Sequence, residues 1–220
     1  MIPRLLAITP PRGPVATTCV DVAADLGLAL AVLLRDPGVD PATMLHPEHR
    51  LGPLVRSARA ADIPVLGSCA MPDVVRFAPL ARDAGLCGLQ LRGDPNEDEL
   101  LRARAAWPEA LLGASVHGGP RASTADYMVF APVFAPRTAA AFAKPAAGVE
   151  SLAAWTTRHP RVFALGGVTA ETAGSCMHAG AYGLAGISTF LGSADALADT
   201  LQALARALAR APHVPPRPRG

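Results

Sequence analysis

Three places in this sequence combine residue types that could do chemistry: Gly166-Gly167, His117 and Arg35. In "FALGGVTAET", Phe163 to Thr172, an apolar run stops at the glycine pair, and a threonine and a glutamate spaced to start a helix follow. Such a turn leaves backbone N–H groups with no side chain over them, which suits a phosphate or another anion; an ordinary tight turn is the alternative. His117 directly follows "GASV", and a neutral imidazole there could take a proton from carbon and return it near pH 7, the alternative being a surface histidine at a loop start. Arg35 closes "LAVLLR", where its guanidinium could hold a carboxylate or phosphate in a two-pronged fork, or else pair with its neighbour Asp36. Lys144, in "AAAFAKPAAGVESL", could ride a mobile lid over a phosphate or be a plain solvated lysine. Asp94 has no second carboxylate at a neighbouring run end, which is a poor basis for Mg²⁺, and it is expected to cap the next helix. The other histidines, His46, His49, His159, His178 and His213, carry no assigned role.

Positioning these residues falls to eight short apolar runs: Arg4 to Thr9, Leu28 to Leu34, Ile63 to Gly67, Gly85 to Leu91, Leu111 to Val116, Asp126 to Phe134, Val162 to Gly167 and Tyr182 to Ser188. They are continuous rather than alternating, as expected of parallel strands covered on both faces. Helix signals lie between them: glycines that can end "CVDVAADLGL" and "VVRFAPLARDAGL", acidic residues opening "DPNEDELLRARAAW", and Thr169 opening the segment after the glycine pair. A last helix is expected from Ala194 to Ala211, with Leu197, Leu201, Leu204 and Leu208 on one face. This alternation predicts an α/β fold, a single (β/α)8 TIM barrel over residues 1–211, followed by a proline-rich tail at 212–220. A doubly wound sheet is the alternative, and the shortest crossover is "GGPRASTA", between the fifth and sixth runs.

In a barrel, function gathers at the C-terminal ends of the strands. Those ends carry Thr9, Arg35, Ser68, Gln90, Arg92, Asp94, Ser115, His117, Gly166-Gly167, Gly186 and Ser188, with Lys144 in the long loop after the sixth. The last two strands both end in small residues, "ALGG" and "AGIS", so amides around Gly167 and Ser188 are expected to form a phosphate cradle.

Composition narrows the partners. Half of the 220 residues are hydrophobic, enough for a real core, and a net charge of +2 without a basic stripe among aromatics argues against nucleic acid. Cys19, Cys69, Cys87 and Cys176 are far apart without metal-ligand spacing and read as buried thiols of a reducing compartment. No apolar stretch approaches the roughly 20 residues of a membrane span, and the start of the chain lacks a signal-peptide core, so a soluble, cytoplasmic protein is expected. The oligomeric state is left open, a homo-oligomer included.

The ordered series "LLAIT", "VLLRD", "GLCGLQL", "GASVH", "ADYMVFAPVF…KP…GVESL", "FALGGVT" and "GAYGLAGIS" resembles the thiamine phosphate synthase superfamily, which includes the TenI-type thiazole tautomerases. The resemblance runs from about Arg4 to about Gly192 and implies a (β/α)8 barrel. The synthase joins a pyrimidine pyrophosphate to a thiazole phosphate with Mg²⁺ held by aspartates. This chain departs from that pattern: Leu33 and Pro37 stand where the synthase has a glutamine and a lysine around the arginine of strand two. "GSCAM", Gly67 to Met71, replaces its Asn-Asp-Arg, so of two expected metal-binding aspartates only Asp94 remains near the position of the second. Its threonine-rich loop becomes "APRTAAAFAKP", with Thr138 and Lys144 surviving. The resemblance therefore implies a tautomerase that moves a proton to make a thiazole carboxylate phosphate aromatic, with His117 as the proton shuttle and no cofactor. Arg35, Gln90, Thr138, Lys144, Gly166, Gly167, Gly186, Ile187 and Ser188 would bind the small phosphorylated ligand. A divergent Mg²⁺-dependent synthase, drawing on Asp73 or Glu97, and a catalytically silent binder of thiazole or thiamine phosphate are the alternatives.

Overall fold

Continuous apolar strands have no polar face to give to water, so they must be covered on both sides. In a computed structural model, which describes residues 2–13, 15–118, 124–135 and 145–210, this is achieved by a closed parallel barrel with its strands in chain order. The strands are β1 (Leu5–Ile8), β2 (Leu30–Leu34), β3 (Val65–Cys69), β4 (Gly88–Leu91), β5 (Leu111–Val116), β6 (Tyr127–Phe130), β7 (Val162–Ala164) and β8 (Gly183–Gly186). Pairing of Leu5 with both Leu30 and Leu184 closes the ring and excludes the doubly wound sheet.

The connections are helical. α1 (Thr18–Asp25) follows β1; α2 (Pro41–Met44) and α3 (Gly52–Ala60) follow β2; a 3-10 turn at Met71–Asp73 and α4 (Val74–Asp83) follow β3. α5 (Glu97–Ala106) follows β4, α6 (Gly148–Thr156) follows β6, α7 (Ala170–His178) follows β7, and a 3-10 turn at Ser188–Phe190 leads from β8 to α8 (Ala194–Arg210). Among the described residues no helix stands between β5 and β6, the crossover that reads shortest in the sequence. The tail at 212–220 lies outside the described residues, and among those described no helix is long and apolar enough to cross a membrane.

Alternation along each strand sorts the core into two layers. Leu6, Ile8, Ala31, Leu33, Leu66, Tyr127, Val129, Phe163 and Ala185 fill the barrel interior. Their neighbours of opposite parity, such as Leu5, Val32, Val65, Leu89, Leu112 and Met128, join the larger cluster beneath the helices. On α8 the predicted stripe Leu197, Leu201, Leu204 and Leu208 is buried, each leucine contributing up to about 1.5–3 kcal/mol. The interior aromatics need room: a Cβ on Gly113 would lie 2.2 Å from Cζ of Tyr127, whose ring meets Phe163 edge-on at 5.6 Å.

Several strands are shorter than the apolar runs or shifted along them: β6 stops at Phe130 and not at Phe134, and β7 at Ala164 and not at Gly167, because the chain after β6 folds over the turn after β7. β3 runs to Cys69 and not from Ile63, because the Ile63 N–H is drawn back to the Ala58 carbonyl (2.8 Å) at the end of α3. β4 starts at Gly88, not Gly85, because the N–H groups of Gly85 and Leu86 close the end of α4 on Arg82 and Ala81 (both 2.9 Å). At the opposite pole from the strand C-termini, Arg4 Nε donates to the Tyr182 carbonyl (2.6 Å) and Arg4 Nη1 to that of Leu208 (3.1 Å), while Tyr182 OH donates to the Ile2 carbonyl (2.6 Å).

Candidate active site at the C-terminal mouth of the barrel

Strand parity continues past the apolar layer into polar residues on one side of the barrel. Ser68 is two residues beyond inward-facing Leu66, and it is in register with Gln90, which is in register with Gly113. Gln90 is only 1% exposed, and its Nε2 donates to Ser115 Oγ (3.0 Å). Among the described residues its Oε1 and the buried Tyr127 hydroxyl have no hydrogen-bond partner, although both lie within 2.5 Å of where a Gly113 Cβ would stand. Burial pushes the Tyr127 phenol well above its ordinary range, so it stays protonated. Gln90, expected to bind ligand, thus sits beneath the mouth as part of its floor.

Arg35 follows β2 on the inward parity of Leu33. Thr9 at the end of β1 fixes it: the Thr9 hydroxyl donates to the Arg35 carbonyl (2.9 Å) and accepts from the Arg35 N–H (2.7 Å). The pairing of Arg35 with Asp36 considered from sequence does not form. Asp36 instead accepts from Arg50 Nε (2.8 Å) and contacts His49 Nε2 (3.2 Å), while Arg50 also donates to the carbonyls of Pro10 (2.9 Å) and Gly13 (3.0 Å). His49 and Arg50 are therefore a clasp between the first two loops that sequence reading passed over. Arg35 loses its ordinary basicity in part, first through burial and then through the charge of Arg92 at the end of β4.

His117, just beyond β5, does not stand alone. The Asp94 carboxylate receives the His117 backbone N–H on Oδ1 (2.6 Å) and contacts the ring Nδ1 with Oδ2 (3.0 Å). Asp94 was expected to cap α5, but that role belongs to Asn96, whose side chain accepts from the Glu99 N–H (2.9 Å) while Glu99 reaches back to the Asn96 N–H (2.8 Å). The cap moves because Asp94 sits in the left-handed region at φ 56°, which aims its carboxylate across to β5 and away from the helix. From the other side buried Trp155 of α6 donates its indole N–H to the Gly118 carbonyl (2.9 Å), so the backbone on both sides of the imidazole is pinned. His117 and Asp94 keep side-chain exposures of 30% and 41%, open enough for a ligand to reach.

On the other side of the mouth, Gly166 and Gly167 have φ of 95° and 62°. The bareness expected there has an immediate structural use: a Cβ on Gly166 would lie 2.6 Å from Pro132 Cβ, and one on Gly167 2.6 Å from Phe134 Cβ. The chain after β6 lies on the pair, with Val133 and Phe134 donating to the carbonyls of Leu165 (2.9 Å) and Gly166 (3.0 Å). The N–H groups of Gly167 and Val168 have no partner among the described residues. Thr169 caps α7 as read from sequence, and Thr189 Oγ1 donates to the Val168 carbonyl (2.6 Å), binding this turn to the one that follows Gly186, Ile187 and Ser188. The fold thus gathers Arg35, His117, Gly166, Gly167, Gly186, Ile187 and Ser188 at one mouth. Thr138 and Lys144 lie outside the described residues.

Comparison with known proteins agrees with this architecture. A family model described as thiamine monophosphate synthase matches residues 5–190. A Geobacter sulfurreducens protein provisionally named thiamine-phosphate synthase is 36% identical over 122 residues, a match spanning 53% of this chain and 56% of that protein. Thiamine phosphate pyrophosphorylase from Pyrococcus furiosus superposes with a TM-score of 0.68 at 19% identity, covering 94% of this chain and 96% of that one. The Bacteroides thetaiotaomicron pyrophosphorylase does so with 0.58 at 17% identity, covering 96% and 100%. TrpF from Jonesia denitrificans, at 0.62 and 16% identity over 94% and 98%, shares the fold alone. With the family model covering all eight strands, the chain belongs to the thiamine monophosphate synthase family.

Proposed function

We propose that within this family the chain is a metal-independent thiazole tautomerase, converting a non-aromatic thiazole carboxylate phosphate into its aromatic form. The observation that carries the reading is the Asp94–His117 pair. A carboxylate at Nδ1 favours the tautomer with its proton there, leaving Nε2 with a free lone pair to take a proton from carbon. The amides around Gly167 and Ser188 would hold the phosphate, and Arg35 would orient the carboxylate from the opposite wall. His117 then removes one C–H proton and delivers it to a second carbon; one bond breaks, one forms, and no oxidant or metal enters.

Synthase chemistry would require Mg²⁺, and the donor set does not fit it. Among the described residues no three His, Cys, Asp or Glu side chains cluster as a metal site; Asp94 faces His117 through both of its oxygens, and Glu97 accepts from the Thr124 N–H (2.8 Å). Burial pushes Cys19 and Cys176 up to about 11 and Cys69 up to about 12, so these thiols stay protonated and take no part in the proposed proton transfer.

The test follows aromatisation of the thiazole carboxylate phosphate by ultraviolet absorbance with chelator present. His117→Ala should lower kcat by about 10²-fold or more while ligand binding persists. Unchanged turnover in that variant overturns the assignment of His117. Mg²⁺-dependent release of pyrophosphate from a pyrimidine pyrophosphate and thiazole phosphate would replace the reading with synthase activity, and tight binding without turnover would replace it with a silent binder.

A further inference from the structure

The mouth holds one cation more than the proposed reaction uses. Arg92 follows β4 two residues after inward-facing Gln90, and its N–H donates to the Cys69 carbonyl (3.1 Å), which extends the β3–β4 ladder by one step. Arg35 occupies the same inward parity at the end of β2. One strand, β3, separates them, so their backbones stand about 10 Å apart at the strand spacing of a sheet, a gap two arginine side chains can bridge from either side. Below them the wall is the polar pair Ser68 and Gln90, 7% and 1% exposed.

Neither guanidinium has a counter-charge among the described residues. Among the described residues Arg92 Nε is buried with no hydrogen-bond partner, and no ion pair reaches Arg35 or Arg92. The nearby carboxylates are committed elsewhere: Asp36 to His49 and Arg50, Asp94 to His117. Asp73, after β3, acts on the Cys69 thiol in the opposite direction to Arg92, but no ion pair joins Asp73 to Arg92. After burial, the charge of Arg92 is the second cause of the lowered basicity of Arg35, so the two cations are near enough to feel one another. Two guanidiniums on the same inward parity at the ends of β2 and β4, one with a buried orphan donor, suit one anionic group of planar, forked geometry, because a carboxylate offers about four lone-pair sites to paired N–H groups.

We propose that Arg92 joins Arg35 in a two-guanidinium clamp for the substrate carboxylate, making Arg92 the residue that selects a carboxylated thiazole phosphate over its decarboxylated counterpart. The choice of that substrate rests on the tautomerase reading; the clamp as an anion site does not. The ligand is then anionic at both ends, its phosphate on the β7–β8 side and its carboxylate on the β2–β4 side.

The test measures binding of aromatic thiazole carboxylate phosphate and of thiazole phosphate lacking the carboxylate by calorimetry, and thermal stabilisation by malonate, for wild type, Arg92→Gln and Arg92→Lys. Wild type should prefer the carboxylated ligand, and Arg92→Gln should lose about tenfold or more on it while changing less than about twofold on the other, the size expected for a charge-assisted pair. Arg92→Lys, which keeps the charge but not the fork, should recover part of the loss, and it carries the comparison if the glutamine variant fails to fold. Malonate should stabilise wild type and not Arg92→Gln. Equal losses on both ligands, no loss on either, or malonate stabilisation that survives in Arg92→Gln overturns the clamp. If wild type binds neither thiazole yet malonate stabilises it and not the variant, the proposed function falls and the anion site stands.

Discussion

Asp94→Asn separates the chemical role of the Asp94–His117 pair from its structural one. Asparagine tolerates the left-handed backbone at φ 56°, so the turn is retained. Its single carbonyl oxygen can still accept the His117 backbone N–H, at present held at 2.6 Å, but the amide nitrogen opposite Nδ1 can only donate. The ring must answer by accepting there, which moves its proton to Nε2, the position proposed to receive the substrate proton. A hydrogen bond to a charged group contributes about 1.5–3 kcal/mol, so kcat should fall by about 10- to 100-fold. KM should change little, because the proposed phosphate cradle and Arg35 stand on other strands. Steady-state aromatisation rates give both parameters, and histidine ¹⁵N chemical shifts give the tautomer without any substrate. A kcat within about twofold of wild type, or an Nε2 that remains unprotonated in the variant, would refute the reasoning.

Three further outcomes follow from the packing. Gly113→Ala places a methyl 2.2 Å from the Tyr127 ring and 2.3 Å from Gln90 Oε1, and should cost about 1–3 kcal/mol in urea unfolding. Trp155→Phe keeps the ring but leaves the Gly118 carbonyl without its donor; a loss of about 1 kcal/mol is expected, with a lower kcat as the His117 backbone loosens. His159 is buried, with Nε2 on the Ala125 carbonyl (2.9 Å) and Nδ1 accepting from the Arg161 N–H (3.2 Å), and burial holds its basicity below the ordinary value. Its folded-state pKa being depressed, the unfolded chain binds the extra proton, so stability is full above the unfolded value of about 6.5 and declines as pH falls below it; His159→Gln should flatten that part of a pH series of urea midpoints.

The barrel was legible because its strands are uninterrupted apolar runs, and eight of them alternating with helix signals leave few ways to close. Strand ends were less so: Ser68 and Cys69 look like a loop until an interior-facing serine is recognised, and Gly85 looks like strand until it ends α4. The site was legible one residue at a time. His117 and Arg35 could be placed at strand ends by counting, but Asp94 and His117 meet across 23 positions of chain, and Trp155 and Gly118 across 37. No local spacing encodes such contacts. The glycine pair was read for its openness to an anion, and its tight contact with Pro132 and Phe134 is a packing fact that only the juxtaposed loops reveal.

The seam between β1 and β8 has a bearing on how this chain is made. Arg4 finds its partners at Tyr182 and Leu208, and Leu5 pairs with Leu184, so the first strand acquires one of its two neighbours only when nearly the whole domain exists. A chain leaving the ribosome would carry β1 with one flank paired to β2 and the other bare for most of synthesis. Such an edge can recruit any passing strand, and contacts this remote in sequence form late. Protection of the nascent chain by a chaperone should therefore matter most just before β8 emerges, and a fragment ending short of Tyr182 should aggregate where one ending beyond Leu208 stays monodisperse.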